Sequence, residues 1–219
     1  MRHGLYDISP AKFGQVETLV SHTRDFGEAK YSNDFVNVSF DARLGGGARI
    51  GGGFDTGRSV QDKCFVVDSP QELLHCSVVT PFKGQTQIKL NGSYPLPGDV
   101  VVSGTFQNIS GPDYDANYPA TSAEIARSLG RPLAGGTRTA TVPLVAPRTL
   151  FEPRITRLDL RVSKIFQINR VRLQLNLDAY NALNNSDIVT INSTFDSRWR
   201  QPNLILDPRQ FQVGGQLSF

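Results

Sequence analysis

Apolar and polar residues alternate with a period of two in seven separate segments of this chain. The clearest segment is at the C-terminus, where Phe211, Val213 and Leu217 alternate with glutamine and serine. Successive side chains of a β-strand point to opposite faces, so each segment predicts a strand with one apolar and one polar face. The other segments lie at 36–44, 50–56, 88–94, 100–106, 157–166 and 171–180. About seven strands of roughly ten residues each are therefore expected.

Short and long connections alternate between these segments. Three are tight turns, at 45–47, 95–98 and 167–169. Three are long and polar, at 59–84, 110–153 and 184–207. Loops longer than roughly 12–15 residues are uncommon in compact domains, whereas outer-membrane barrels have short periplasmic turns and long extracellular loops. The pattern predicts an all-β fold, an antiparallel transmembrane β-barrel segment of about seven strands that forms part of a barrel.

The same assignment orients the strands. With the tight turns in the periplasm, Phe219 ends the chain at the periplasmic interface, and Tyr94 and Phe166 fall where an aromatic girdle is expected. Lys164 is on the same face of its strand as the apolar residues. It lies near the periplasmic end of the strand, so its ammonium can extend to lipid headgroups. Charged side chains on the other face would be costly against lipid and are expected to face a lumen. They are Asp41, Arg43, Asp159, Arg161, Arg172 and Asp178.

Composition excludes several other classes of protein. Lys and Arg number 23 against 20 Asp and Glu, a net charge of +3, so no nucleic-acid partner is expected. The longest uninterrupted apolar run is 64–67, far short of the roughly 20 residues of a spanning helix. The N-terminus does not have the apolar stretch of a signal peptide. The chain is therefore expected either to stay inside the cell or to be an internal piece of a longer exported protein.

The two cysteines, Cys64 and Cys76, lie in one polar stretch. A disulfide between them fits an oxidising compartment, and two free thiols are an equal alternative. Asp113, Asp115 and Asn117 have the opening pattern of a calcium loop, but the glycine and closing glutamate of that motif are missing. A solvated acidic loop is the favoured interpretation of these three residues, and neither a metal nor a cofactor is expected.

No catalytic arrangement is recognisable. The sequence has no G-x-S-x-G elbow, and its three histidines form no triad or metal pattern, so an enzyme is not expected. Segment 121–127 predicts a short helix, with Thr121 or Ser122 as its cap and Glu124 in its first turn. Trp199, between two arginines, is a candidate either for contact with a ligand or for anchoring an outer loop.

Two segments resemble the C-terminal part of TonB-dependent outer-membrane receptors. They are RLDLRVSKIF at 157–166 and LNLDAYNALN at 175–184, supported by 6–13 and 118–121. The group most similar carries an N-terminal carboxypeptidase-regulatory-like domain and is of the Oar-like type. The family's terminal signal for barrel assembly also resembles the end of this chain. Its counterparts here are the terminal aromatic Phe219 and the apolar residues Leu217, Val213 and Phe211.

The resemblance implies active uptake of a scarce solute across the cell outer membrane, with selectivity in the three long loops. A siderophore, a cobalamin, an oligosaccharide and a peptide are all open as the solute. The implied partners are outer-membrane lipid, the barrel-assembly machinery, a missing N-terminal plug with the remaining strands, and the TonB complex through that missing part. We expect a C-terminal fragment of such a receptor, with an extracellular lead-in at 1–33 and barrel strands at 34–219.

Two alternatives from other classes stay open at this point. A small self-contained outer-membrane barrel with a structural or adhesive role would need an eighth strand, for which 15–22 is the candidate segment. A soluble β-sandwich binding module would need the apolar strand faces to pack on each other.

Overall fold

The structure, a computed structural model, describes residues 6–65 and 69–219. Strand accounts for 51% of the chain and helix for 14%, which confirms the all-β class. The framework is one antiparallel sheet whose seven main strands are neighbours in chain order. They are β1 (Lys30–Arg43), β2 (Arg49–Asp62), β4 (Gln87–Leu96), β5 (Val100–Ile109), β10 (Ile155–Ile168), β11 (Val171–Tyr180) and β14 (Gln210–Ser218). Each of the seven predicted segments lies in or overlaps one of these strands.

The remaining elements lie mainly in the three long connections. The first contains β3 (Ser77–Thr80), which pairs with β2, and α1 (Phe82–Gln85). The second contains β6 (Asp113–Tyr114), β7 (Asn117–Thr121), α2 (Ser122–Leu129), β8 (Thr139–Pro143) and β9 (Leu150–Phe151). The third contains the hairpin of β12 (Ile188–Ile191) and β13 (Pro202–Ile205). Short 3-10 helices lie at Pro10–Lys12, Thr23–Asp25, Gly45–Gly47, Pro70–His75 and Ala134–Gly136.

The strand register places the predicted apolar positions on one face of the sheet. Val102 lies opposite Val162 across β5 and β10, and Leu177 lies opposite Val213 across β11 and β14. Many of these side chains are exposed, from 38% for Phe54 to 78% for Val213. A sheet face that packs on a protein core is covered by other elements. The apolar face of this sheet is therefore not the core of the described part of the chain.

The opposite face of the sheet is polar and bonded between strands. Arg161 on β10 pairs with Asp178 on β11, with Nη2 and Oδ2 3.0 Å apart. The Ser163 hydroxyl donates to Asn176 Oδ1 at 2.8 Å. A cavity of about 540 Å³ lies over this face. We call it the polar trough. Its lining residues include Asp41, Arg49, Asn91, Ser93, Ser103, Thr105, Asp159, Arg161, Asp178 and Tyr180.

The sheet is open. Over the described residues, β1 and β14 each have one neighbouring strand, so no closed barrel is formed. Segment 15–22, the candidate for an eighth barrel strand, has irregular backbone instead of strand. The only buried large apolar side chains of the described chain, Tyr114 and Ile125, lie in the second long connection rather than in the sheet. Among the described residues, no helix has the length and apolar character needed to cross a membrane.

Candidate functional site

The three long connections meet at one end of the sheet. Because neighbouring strands are antiparallel, every second connection leaves from the same end. The Asn117 N–H donates to the Ser193 carbonyl oxygen at 2.9 Å, and the Phe195 N–H donates to Asn117 at 2.8 Å, which joins the second connection to the third. The Phe151 ring lies so close to Gly84 that a Cβ on the glycine would be 2.5 Å from it, which joins the second connection to the first.

We call this assembly of 69–86, 110–153 and 184–207 the loop layer. The three loops proposed from the sequence as determinants of selectivity, 59–84, 110–153 and 184–207, contribute to it. Residues 66–68 of the first loop lie outside the described residues. The layer is continuous because its parts bond to each other, and the candidate binding surface is therefore one surface rather than three separate loops.

Trp199 fixes the third connection to the second. Its indole N–H donates to the Asp115 carbonyl oxygen at 2.9 Å. Its ring meets the rings of Phe195 and Tyr114 edge-on, with centroids 5.0 and 6.3 Å apart. Edge-to-face pairs of this kind are favourable beyond the area they bury. Of the two roles considered for Trp199 from the sequence, these contacts support the anchoring role.

Arg200 adds a charged contact to the same junction. Its guanidinium lies 5.1 Å from the centre of the Tyr114 ring and 3.0 Å from the carboxylate of Glu152, which is only 8% exposed. The hydrogen bond with Glu152 raises the pKa of Arg200 above its ordinary value. A nearly buried carboxylate needs such a partner, because removing a charge from water is costly. The pair therefore helps to hold the loop layer in one arrangement.

The three residues of the calcium-like pattern differ in their contacts within the chain. Asp113 is in β6 and pairs with Arg148 at 3.4 Å. Asn117 begins β7 and bonds through its backbone to the third connection. One oxygen of Asp115, Oδ1, is buried and has no hydrogen-bond partner among the described residues. Over the same residues, no group of three or more His, Cys, Asp or Glu side chains is arranged to hold a metal ion.

The predicted helix at 121–127 is confirmed as α2. The Thr121 hydroxyl accepts from the Glu124 N–H at 3.2 Å, and the Glu124 carboxylate accepts from the Thr121 N–H at 2.8 Å, which is a capping box. The Tyr118 hydroxyl donates to Glu124 at 2.8 Å. These bonds, the backbone bond from Thr121 first, lower the pKa of Glu124. Gly130, in the left-handed region at φ 76°, ends the helix.

The N-terminal lead-in docks on the second connection. The Asp7 carboxylate accepts from the Arg131 guanidinium and from the Ala134 N–H, and Arg131 also donates to the Ile8 carbonyl oxygen at 3.0 Å. The bond from Arg131 lowers the pKa of Asp7. Phe13 packs against Gly135, where a Cβ would clash with its ring. The alternation pattern gives no signal for this contact, since the two segments are more than a hundred residues apart.

Asn181 follows β11 at the end of the sheet that carries the loop layer, and it bonds to β10 and to the third connection. It is 3% exposed and adopts a left-handed φ of 46°. Its amide donates to the carbonyl oxygens of Asn185 and Asp207, both at 2.8 Å, and its backbone N–H donates to Asp159. Asparagine tolerates this backbone region better than most residues. The position belongs to the 175–184 segment, and its structural role was not predicted from the sequence.

Cys64 and Cys76 are joined by a disulfide, with Cα atoms 4.8 Å apart. The Lys63 N–H also donates to the Cys76 carbonyl oxygen at 2.8 Å. Of the two alternatives left open by the sequence, the structure has the disulfide. It closes the first connection just beyond the end of β2.

The four residues assigned to a barrel-assembly signal lie at the sheet edge. Phe211, Val213 and Leu217 are on β14 and are 69%, 78% and 58% exposed, and Phe219 follows the strand at 99%. Gly215 departs from the apolar pattern and lies opposite Leu175, with space for a Cβ at ordinary contact distance. The apolar row is therefore accessible to another chain or to lipid.

These observations define an all-β protein with an open, two-faced antiparallel sheet and a bonded loop layer at one end. Comparison of the chain with protein-family models, with curated proteins and with solved structures gives no match.

Proposed function

We propose that this chain is the C-terminal barrel portion of an outer-membrane TonB-dependent receptor for active uptake of a scarce solute. The observation that carries the proposal is the pairing of an exposed apolar face with a bonded polar face on one sheet of seven long strands. A contiguous exposed apolar surface on a water-soluble monomer is rarely larger than a few hundred Å². Lipid satisfies such a face when the backbone is fully paired between strands.

The end of the sheet with tight turns has features of a lipid–water interface. Tyr94 and Phe166 are 58% and 40% exposed, as residues of an aromatic girdle would be. The Lys164 ammonium bonds to the carbonyl oxygen of Gly98 in the tight turn and lies 5.3 Å from the centre of the Phe166 ring. This lysine is on the apolar face, and its charge is held at the turn end rather than at mid-strand.

The opposite end supports a role in recognition. The loop layer is built on the rigid sheet, and loops on a rigid scaffold commonly carry binding. In the proposed orientation it faces outside and contacts the solute first. The polar face lines the lumen, and energy from TonB reaches such a receptor through its plug. The resemblance of 157–166 and 175–184 to receptors supports this class, with a siderophore, cobalamin, oligosaccharide or peptide as the solute.

Expression with an added signal peptide, followed by membrane fractionation and gels of boiled and unboiled samples, tests the proposal. The unpaired edges of β1 and β14 should prevent closure, so we expect periplasmic aggregate and no heat-modifiable band. The aggregate is then dissolved in urea. On dilution into detergent micelles the chain should regain the circular dichroism spectrum of a β-sheet, and on dilution into buffer without detergent it should not.

Two results would contradict the proposal. A heat-modifiable band in the outer membrane would mean that the chain closes a barrel by itself or with copies of itself, and the receptor-fragment assignment would fail. A folded monomer free in the periplasm would mean that the apolar face is covered within the chain. That result would remove both membrane assignments and favour the β-sandwich module.

A further inference from the structure

A second cavity on the polar face lies at the end of the sheet that carries the loop layer. It has a volume of about 370 Å³ and is bounded by β4, β5 and the short helix α1. Lys89 of β4 lies opposite Gln107 of β5, and Gln85 is the last residue of α1. Together with Gln87, these side chains give the cavity three amides and one ammonium. We call this cavity the amide pocket.

Most of the hydrogen-bonding capacity of the amide pocket is unused. Gln85 donates through Nε2 to the Ser59 hydroxyl at 2.8 Å, but its Oε1 is buried and accepts from no group of the described chain. Within the same part of the chain, the side chains of Gln87, Lys89 and Gln107 make no hydrogen bond. Buried polar groups of native proteins are nearly always paired. The Gln85 oxygen therefore needs a donor from a molecule that enters the pocket.

The amide pocket also has a positive charge that its own lining does not offset. Lys89 is exposed, and none of the ion pairs of the described residues includes it. A carboxylate of the neighbouring strand, Asp55, lies opposite Gln87 but already accepts from the Asn37 amide. The described residues that line the pocket include no Asp or Glu. A ligand of this pocket therefore needs an acceptor for the ammonium and groups that can donate to an amide oxygen.

We propose that the amide pocket binds an acidic sugar unit, whose carboxylate pairs with Lys89 and whose hydroxyl groups bond to the glutamine amides. The inference rests on the proposed function and names the class of its solute, an acidic oligosaccharide. A hydroxyl group both donates and accepts, so a sugar can donate to Gln85 Oε1, which a fully ionised anion cannot do. A bond between an ammonium and a carboxylate is charge-assisted, so Lys89 selects acidic sugars over neutral ones.

The lining and the size of the amide pocket favour a sugar over the other solutes. Bound peptides commonly place alternate side chains in pockets beside their main-chain bonds, and Ile109 is the only large apolar side chain among the described lining residues. The volume of about 370 Å³ is near the lower end of the roughly 300–1,000 Å³ of ligand pockets. The pocket therefore suits one unit of a longer chain better than a whole cobalamin.

Binding of fluorescein-labelled trigalacturonate to the chain in detergent micelles, measured by fluorescence anisotropy, tests this inference. Circular dichroism is recorded first to establish that the sheet is formed. The variant K89Q should weaken binding about tenfold or more, because hydrogen bonds to charged groups are among the stronger ones. The matched control K12Q removes an exposed lysine of the N-terminal lead-in and should change affinity less than about twofold. Labelled galactotriose, which is neutral, should bind the unchanged chain about tenfold more weakly, and K89Q should not weaken its binding further.

The outcomes separate this inference from the proposed function. When the sheet is formed in micelles, an equal loss of affinity in K89Q and K12Q overturns the inference and leaves the proposed function in place. A chain with a sheet that does not bind trigalacturonate has the same consequence. Binding of labelled triglutamate as tight as that of trigalacturonate also overturns the inference, since the pocket would then recognise carboxylates and not sugars. A chain without a sheet in micelles has no amide pocket and overturns both.

Discussion

At the scale of single residues, the side chain of Asn181 joins the end of β11 to the third long connection. Its amide bonds two carbonyl groups from the third long connection, and its Oδ1 accepts from the Asn185 N–H at 3.1 Å. N181A would remove these part-buried hydrogen bonds, each of which contributes about 0.5–1.5 kcal/mol to stability. We expect a loss of stability of about 2–4 kcal/mol in total, measured from urea unfolding in detergent micelles.

The matched control for this prediction is N169A. Asn169 also has a left-handed backbone, at φ 54°, but it is exposed in the tight turn between β10 and β11. Both variants carry the backbone cost of alanine in this region, and only N181A loses buried hydrogen bonds. Equal destabilisation by the two variants would show that the hydrogen bonds of Asn181 contribute nothing measurable.

Glu124 predicts a dependence of stability on pH. Its folded-state pKa is lowered from the ordinary 4.5 by the bonds from Thr121 and Tyr118. A lowered pKa contributes stability that is present above pH 4.5 and is lost as the pH falls through the folded-state value. E124Q keeps a side chain that can cap the helix but does not titrate. Between pH 6 and pH 3, α2 of E124Q should therefore lose less protection from amide exchange than α2 of the unchanged chain. Identical pH profiles of amide exchange for the two proteins would contradict the role given to the Glu124 carboxylate.

At the scale of the strand, β14 offers the sharpest test of which face meets lipid. Val213 is on the apolar face, and the adjacent Gln212 is on the polar face, where it accepts from the Tyr180 hydroxyl. In vesicles of lipids brominated on their acyl chains, V213W should be strongly quenched and Q212W should not. The unchanged chain is the reference, because Trp199 lies in the loop layer. Equal quenching of the two variants would remove the support that the sheet gives to a membrane location.

At the scale of the whole molecule, the direction of the edge strands decides how the sheet can be completed. Seven antiparallel strands leave β1 and β14 running in the same direction. Joining β14 of one copy to β1 of another would make a parallel pair, whereas outer-membrane barrels are built from antiparallel pairs. Completion therefore needs an odd number of additional strands. The fractionation experiment should accordingly give no detergent-resistant ladder of oligomers, and such a ladder would contradict the argument.

The alternation of residues predicted the seven main strands, their two faces and the tight turns, because strand pleating and turn chemistry depend on neighbours a few positions apart. The Thr121–Glu124 cap was predictable for the same reason. In the three hairpins, the tight turns fix how adjacent strands align. The cross-strand partners Val162 and Leu177, on either side of the turn at 167–169, therefore match the parity expected of them.

What the sequence alone determined about this protein is thus its all-β class and the two-sided character of its strands. Only the tertiary structure decided that Trp199 donates to Asp115, that Asp7 pairs with Arg131 and that Cys64 is bonded to Cys76. It also decided that Arg49 shares the polar trough with the serines of β4 and β5. Local periodicity specifies which way a side chain points. Which distant groups meet depends on how the whole chain closes its loops, and no short-range pattern encodes that.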